Sequence, residues 1–150
     1  MLSVIQRVRS ACVEVEGEVI GRIDAGLLAL VCAQPGDTEQ TAERFLNKLL
    51  KLRVFTDAEG KMNRSIQDID GNGRAGGLLL ISQFTLAADT RSGTRPGFSG
   101  AAHPDMARPW FETLVERARL AHPVVQTGRF AADMQVHLIN DGPVTIPLNL

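Results

Sequence analysis

The feature that most limits the fold is a run of seven apolar residues, Leu27-Leu-Ala-Leu-Val-Cys-Ala33, closed at once by Gln34-Pro35-Gly36. It is too short for a typical helix and far short of the roughly 20 residues that cross a bilayer, so it reads as a buried strand. Leu78-Leu-Leu-Ile81 is a second buried strand, running into Ser82-Gln-Phe-Thr-Leu86. Around these two the chain alternates like a sheet. Val4, Gln6 and Val8 oppose Ile5, Arg7 and Arg9, and Cys12-Val-Glu-Val-Glu16 follows the same pattern. Glu16-Gly17-Glu18 then reads as a hairpin connection to Val19-Ile20. Residues 53–56 and 61–63 flank a turn at Asp57-Ala-Glu-Gly60, and residues 124–127, 134–140 and 144–148 are expected as three closing strands.

Two helices interrupt the strands. Asp37 as N-cap with Gln40 three residues on predicts a helix start, and Ala42, Phe45, Leu46, Leu49 and Leu50 form its apolar stripe. Arg44, Lys48 and Lys51 lie on its outer face. A second helix is expected over residues 105–121, with Trp110, Phe111, Leu114, Val115 and Ala118 on one face and Pro109 near its first turn. Residues 70–77 and 89–103 are too rich in glycine and polar groups for element interiors and read as loops. With no repeat, linker or charge block, residues 1–150 are expected to form one α+β domain of mostly antiparallel strands.

Charge and cysteine usage narrow the function classes. Sixteen Lys+Arg against 17 Asp+Glu leave a net charge of -1, which excludes a broad basic coat for nucleic acid but allows a local patch. Cys12 and Cys32 are too few for a disulfide scaffold and read as small buried hydrophobes, with an oxidised pair left open. The segment Met1-Leu-Ser-Val-Ile-Gln-Arg7 has no apolar core long enough for a signal peptide, so the chain is expected to be soluble and cytoplasmic, with no membrane partner.

There is no Walker loop, no Gly-x-Ser-x-Gly elbow, and no Cys-x-x-Cys or His-Glu-x-x-His spacing. His103, His122 and His137 lack ligand-like spacing and read as surface or structural histidines, so neither metal nor cofactor is expected. Three segments stand out instead: Ser82-Gln-Phe-Thr-Leu86, Asn140-Asp-Gly-Pro-Val-Thr145 and Arg95-Pro96-Gly97-Phe98. Taken alone they are a strand-end turn, a Gly-Pro turn and a surface loop.

Read together with Gln6-Arg7-Val8, Phe55-Thr-Asp-Ala-Glu-Gly-Lys-Met-Asn63 and Gly128-Arg-Phe-Ala-Ala-Asp-Met134, these segments make the chain resemble the D-aminoacyl-tRNA deacylase family over nearly its whole length. The resemblance implies a compact β-barrel-like domain with two covering helices. It also implies a homodimer that hydrolyses the ester joining a D-amino acid to the 3′ end of tRNA, a chiral proofreading step. Ser82, Gln83, Phe84 and Thr85 would form one side of the active site. Gly142-Pro143, expected cis and followed by Val144, would enter the partner subunit's pocket, with Arg7 and Met134 holding that motif. Arg95 and Phe98, with Lys48 and Lys51 on the first helix, are the candidate tRNA contacts. One departure is visible: the family pattern has Arg-Pro-Ser-Phe where this chain has Gly97, and the segment after it is shortened.

An aminoacyl ester is already activated, so catalysis requires positioning and oxyanion stabilisation rather than a triad. Backbone amides near Phe84 and Thr85 are candidate oxyanion donors; Thr85, water or the substrate's 2′-hydroxyl remain as attacking groups. Gly142-Pro143 suits rejection of the L side chain, because glycine allows close approach and proline fixes the geometry. Rejection predicts that glycyl-tRNA is cleaved as well. The alternatives are a non-catalytic module that binds the aminoacylated 3′ end, and an esterase for small metabolites.

Overall fold

A computed structural model describes residues 1–150. Its first strand, β1 (Leu2–Val15), is 14 residues long and seats three others. Along one edge its first half pairs antiparallel with β3 (Gly26–Cys32) and its second half with β2 (Glu18–Ile23). Along the other edge it pairs nearly end to end with β8 (Gln135–Asn149). From β3 the sheet continues in parallel to β6 (Gly77–Ser82) and then to β7 (Val125–Thr127). A Cβ on Gly21 of β2 would stand 2.9 Å from the Thr127 carbonyl oxygen, so the sheet has curled until its two ends meet. A small ribbon of β4 (Phe55–Thr56) and β5 (Met62–Arg64) completes the strands and is shorter than its sequence pattern implied. The helices α1 (Glu39–Lys51) and α2 (Pro104–Ala121) lie within the crossovers that join the parallel strands. The architecture is the expected α+β one, a nearly closed barrel-like sheet covered by two helices, with two parallel pairs among the antiparallel ones.

The parallel pairs explain the apolar runs, because a strand buried on both faces has no reason to alternate. Leu27, Ala29, Val31, Leu78 and Leu80 pack with Phe45, Leu49 and Leu114 of the helices. Leu28, Leu79 and Ile81 point the other way onto Val8, Val13 and Ile23 inside the barrel. Where β3 and β6 begin, the backbones touch: a Cβ on Gly26 would fall 1.9 Å from the Gly77 carbonyl oxygen.

Several local expectations change. The N-cap of α1 is Thr38, whose N–H donates to Thr41 Oγ1 (3.2 Å), rather than Asp37. The Asp37 carboxylate is drawn away, taking the N-terminal ammonium (3.0 Å) and the Gln34 N–H (2.7 Å). Pro109 lies inside α2, beyond its first turn, on an exposed face where one missing donor is tolerated. Strand β6 stops at Ser82, and residues Phe84–Ala87 wind into a 3-10 turn instead of extending the strand. Both cysteines are free thiols.

The largest change concerns the end of the chain. Residues 134–140 and 144–148 are not two strands but parts of one, β8, with an excursion in it. Gln6 of β1 faces Thr145 and Val8 faces Asn140, so residues 141–144 stand opposite Arg7 alone and are pushed out of the ladder. The Gly142-Pro143 peptide at its crest is cis, and Gly142 has φ +134°, a conformation side-chain-bearing residues rarely adopt. The base is tied by Asn140, whose amide donates to Thr145 Oγ1 (2.8 Å) and whose carbonyl accepts from Val144 N–H (2.9 Å).

Candidate active site

The carboxyl ends of the parallel strands β3 and β6 open into a cleft of about 640 Å³. Crevices at the carboxyl ends of parallel strands are where such sheets place ligands, because the chain leaves the sheet there and frees backbone polar groups. Cys32 and Ala33 form the floor; Ser82, Gln83 and Phe84 form one wall; Ala102, His103 and Ala107 form another; Phe130, Met134 and Val136 close the third.

The 3-10 turn gives the wall its chemistry. Gln83 N–H is still fixed to the sheet through the Val31 carbonyl (2.7 Å), and the turn begins at the next residue. Phe84 and Thr85, as its first two residues, have N–H groups without acceptors inside the turn. Burial pushes the Cys32 thiol up, so it stays protonated and serves as a donor beneath the turn, 3.6 Å from the Phe84 carbonyl. The Gln83 side-chain amide donates to Thr85 Oγ1 (2.6 Å). An amide is not a base, and the histidine on the cleft wall, His103, is turned to Asp105 (3.2 Å). Thr85 thus has an orienting partner and no proton acceptor in contact. Phe84 and Phe98 meet edge to face at 5.1 Å, both exposed at the cleft's mouth.

The sequence-derived candidates divide into two groups. Ser82, Gln83, Phe84, Met134 and Phe98 line the cleft; Thr85 is exposed just outside its wall. Gly142, Pro143, Val144 and Arg7 gather elsewhere. Arg7 faces Leu27 on β3 while Ser82 faces Val31, a displacement of four residues or roughly 13 Å along the strand. There Arg7 donates to the Asp141 carbonyl (3.0 Å) and the Val54 carbonyl (2.5 Å) and pairs with the Asp141 carboxylate (3.3 Å). Lys48 and Lys51 lie in the last turn of α1, at that same end and roughly 9 and 14 Å along the axis from Ala42. Arg95 is exposed in a loop pinned by the two bonds between Asp89 and Gly97 (2.7 and 2.9 Å). The Arg91 guanidinium holds the Asp89 carboxyl below its usual range at that bridge. A Cβ at position 97 would have nothing closer than 3.9 Å, so packing does not demand this glycine.

Sequence reasoning missed Cys32, Ala102, His103, Ala107 and Phe130 as cleft residues. Only the placement of Phe130 within Gly128-Arg-Phe-Ala-Ala-Asp-Met134 carried a signal; the alanines are legible only once their neighbours are known.

Fold and cleft together define the class: a barrel-like α+β domain whose mostly apolar cleft offers a hydroxyl, an amide and unpaired backbone donors at one wall, the equipment for holding an acyl group. Comparison with known proteins narrows this. The profile of the family described as D-Tyr-tRNA(Tyr) deacylase matches residues 4–149. A D-aminoacyl-tRNA deacylase from Acidovorax ebreus (strain TPSY) is 61% identical over 150 residues, covering 100% of this chain and 98% of the relative. Among solved structures, one named c-Myc DNA Unwinding Element Binding Protein superposes with a TM-score of 0.90 at 37% identity, covering 100% and 99% of the two chains. A probable eukaryotic D-amino acid tRNA deacylase shares the fold, with a TM-score of 0.79 at 13% identity over 99% and 98% of the chains. The chain belongs to the D-aminoacyl-tRNA deacylase family.

Proposed function

We propose that residues 1–150 act as one cytoplasmic deacylase domain that hydrolyses the ester of D-aminoacyl-tRNA, releasing the D-amino acid and leaving tRNA intact. The observation that carries this reading is the 3-10 turn after β6, whose first two N–H groups, that of Phe84 on the cleft wall and that of Thr85 just outside it, have no acceptor within the turn. Water adds to the ester carbonyl carbon, and the oxyanion is held by those two N–H groups. The tetrahedral adduct then collapses, the bond to the ribose 3′-oxygen breaks, and that oxygen takes the proton. Thr85, already oriented by the Gln83 amide, positions the substrate, and the substrate's own 2′-hydroxyl assists the proton transfer.

Selectivity is proposed to come from a second copy. The Gly142-Pro143 crest stands away from its own cleft, so in a homodimer it enters the partner's, where Gly142 and Val144 exclude an L side chain. Leu138 and Ile139, exposed on β8 beside the crest, provide apolar surface for that contact. Glycyl-tRNA, with nothing to exclude, is cleaved too, and the role is chiral proofreading.

The test is release of amino acid from matched D- and L-tyrosyl-tRNA with limiting protein. Multiple turnovers on the D form alone support the reading; tight binding without turnover makes the protein a non-catalytic module. Mixing inactive Gln83→Ala with inactive Gly142→Ala then tests the shared site. Random pairing should restore about a quarter of wild-type activity, one sound cleft in each mixed dimer. No recovery would mean that crest and cleft act within one chain.

A further inference from the structure

The cleft opens in two directions that differ in charge. Past Ala33, Ala102 and His103 it joins a second hollow of about 590 Å³. The walls there carry Asp37 and Glu39, each already answered within the chain, Asp37 by the N-terminal ammonium and Glu39 by Arg117. No free arginine or lysine lines that hollow, so nothing in it draws a polyanion. Phe130 lines the cleft but not that hollow, and the Arg108 guanidinium carbon lies 4.8 Å over its ring centroid. Phe111 backs the same ring at 6.3 Å between centroids.

Arg108 is unlike most arginines in this chain that have an organised position. Arg7, Arg9, Arg91 and Arg117 are all paired with carboxylates. Arg108 is exposed and forms no ion pair, although Asp105 and Glu112 flank it on α2 and Asp133 stands on the cleft wall nearby. Stacking on Phe130 spends one face of the guanidinium and leaves its N–H edges in water. A planar donor fork held rigid by a ring, with no carboxylate to neutralise it, matches a phosphate.

We infer that the polynucleotide leaves the cleft over Phe130, and that Arg108 is a substrate-binding residue that grips a phosphate of the tRNA 3′ strand. This rests on the deacylase reading above and adds the direction in which the RNA runs.

The experiment compares kcat/KM on D-tyrosyl-tRNA with kcat/KM on 3′-O-(D-tyrosyl)adenosine, which has no phosphate, for wild type, R108A, R108E, R108K and the distant α2 variant R119A. The tRNA-to-adenosine ratio should fall about three- to tenfold in R108A, the weight of one exposed charge-assisted contact, and further in R108E. The slope of log kcat/KM for tRNA against log salt should flatten by about 0.7, one phosphate contact on a single strand, and R108K should keep it. R119A should leave ratio and slope at wild-type values. A wild-type ratio and slope in R108A and R108E overturn the inference while the deacylase reading stands. A wild-type protein that cleaves neither substrate overturns both.

Discussion

Replacing Arg7 by methionine should uncouple the Gly142-Pro143 crest from the barrel. The Arg7 side chain is only 11% exposed, and its guanidinium satisfies two backbone carbonyls, those of Asp141 and Val54. A charge-assisted bond of this kind is worth about 1.5 kcal/mol at the lower end, so losing two costs about 3 kcal/mol. The ion pair with Asp141, itself 36% exposed, adds less than about 1 kcal/mol after solvent screening. For a chain of this length about 3 kcal/mol lowers Tm by roughly 6–12 °C. Urea unfolding should show the loss as a lower midpoint at unchanged slope. At temperatures where the variant remains folded, turnover of D-tyrosyl-tRNA should fall about tenfold or more, because the crest has lost its seat. Arg7→Lys should recover part of the stability through Asp141 but little turnover, since one ammonium cannot reach both carbonyls. A methionine variant that melts with the wild type, or melts early yet turns over normally, would refute the anchoring argument.

Two further outcomes follow from local geometry. Gly26→Ala places a Cβ 1.9 Å from the Gly77 carbonyl oxygen, backbone that cannot step aside, so the β3–β6 pair should not form and the variant should be recovered as insoluble protein. Gly36→Ala, at a positive-φ turn with open space around it, is the soluble control, strained by about 1 kcal/mol. In acid, the 57–61 turn should outlast an ordinary carboxylate. The Lys61 N–H foremost, with that of Glu59, holds the Asp57 carboxyl below its usual 3.8. Its folded value is thus the depressed one, so its stabilisation is present above the unfolded value and lost as pH falls through the folded value. Asp57 followed by NMR should titrate below 3.8, and a titration at the ordinary value would remove this account of the turn.

What the sequence made legible was whatever depends on near neighbours. The stripe Ala42, Phe45, Leu46, Leu49 and Leu50 is buried as its spacing required, and the seven-residue apolar run is a strand. Misreadings arose where a distant group decided the outcome. Asp37 lost the N-cap to Thr38 because an ammonium 36 residues away claimed its carboxylate. The 3-10 turn at Phe84 has strand-like residues and is bent by contacts with Val31 and Cys32 from another strand. Asn140-Asp-Gly-Pro-Val-Thr145 has the composition of a hairpin turn, yet both its ends stay paired to β1, so the strand bulges instead of reversing. For the site, the polar motif was readable because it is contiguous; the apolar walls were not, because four segments far apart in the chain supply them.

The seating of β8 on β1 has a consequence for how the protein is made. Leu2 pairs with Asn149, so β1 leaves the ribosome long before the partner strand β8 that covers its edge. About 120 residues separate the end of β1 from the start of β8, an interval of about 6 to 24 s at ordinary elongation rates. Throughout it one edge of β1 is bare, and an edge built to accept a strand will accept one from a neighbouring nascent chain. A stop codon before residue 135 therefore yields not a slightly shorter enzyme but an open sheet, a species that quality control meets as an aggregate.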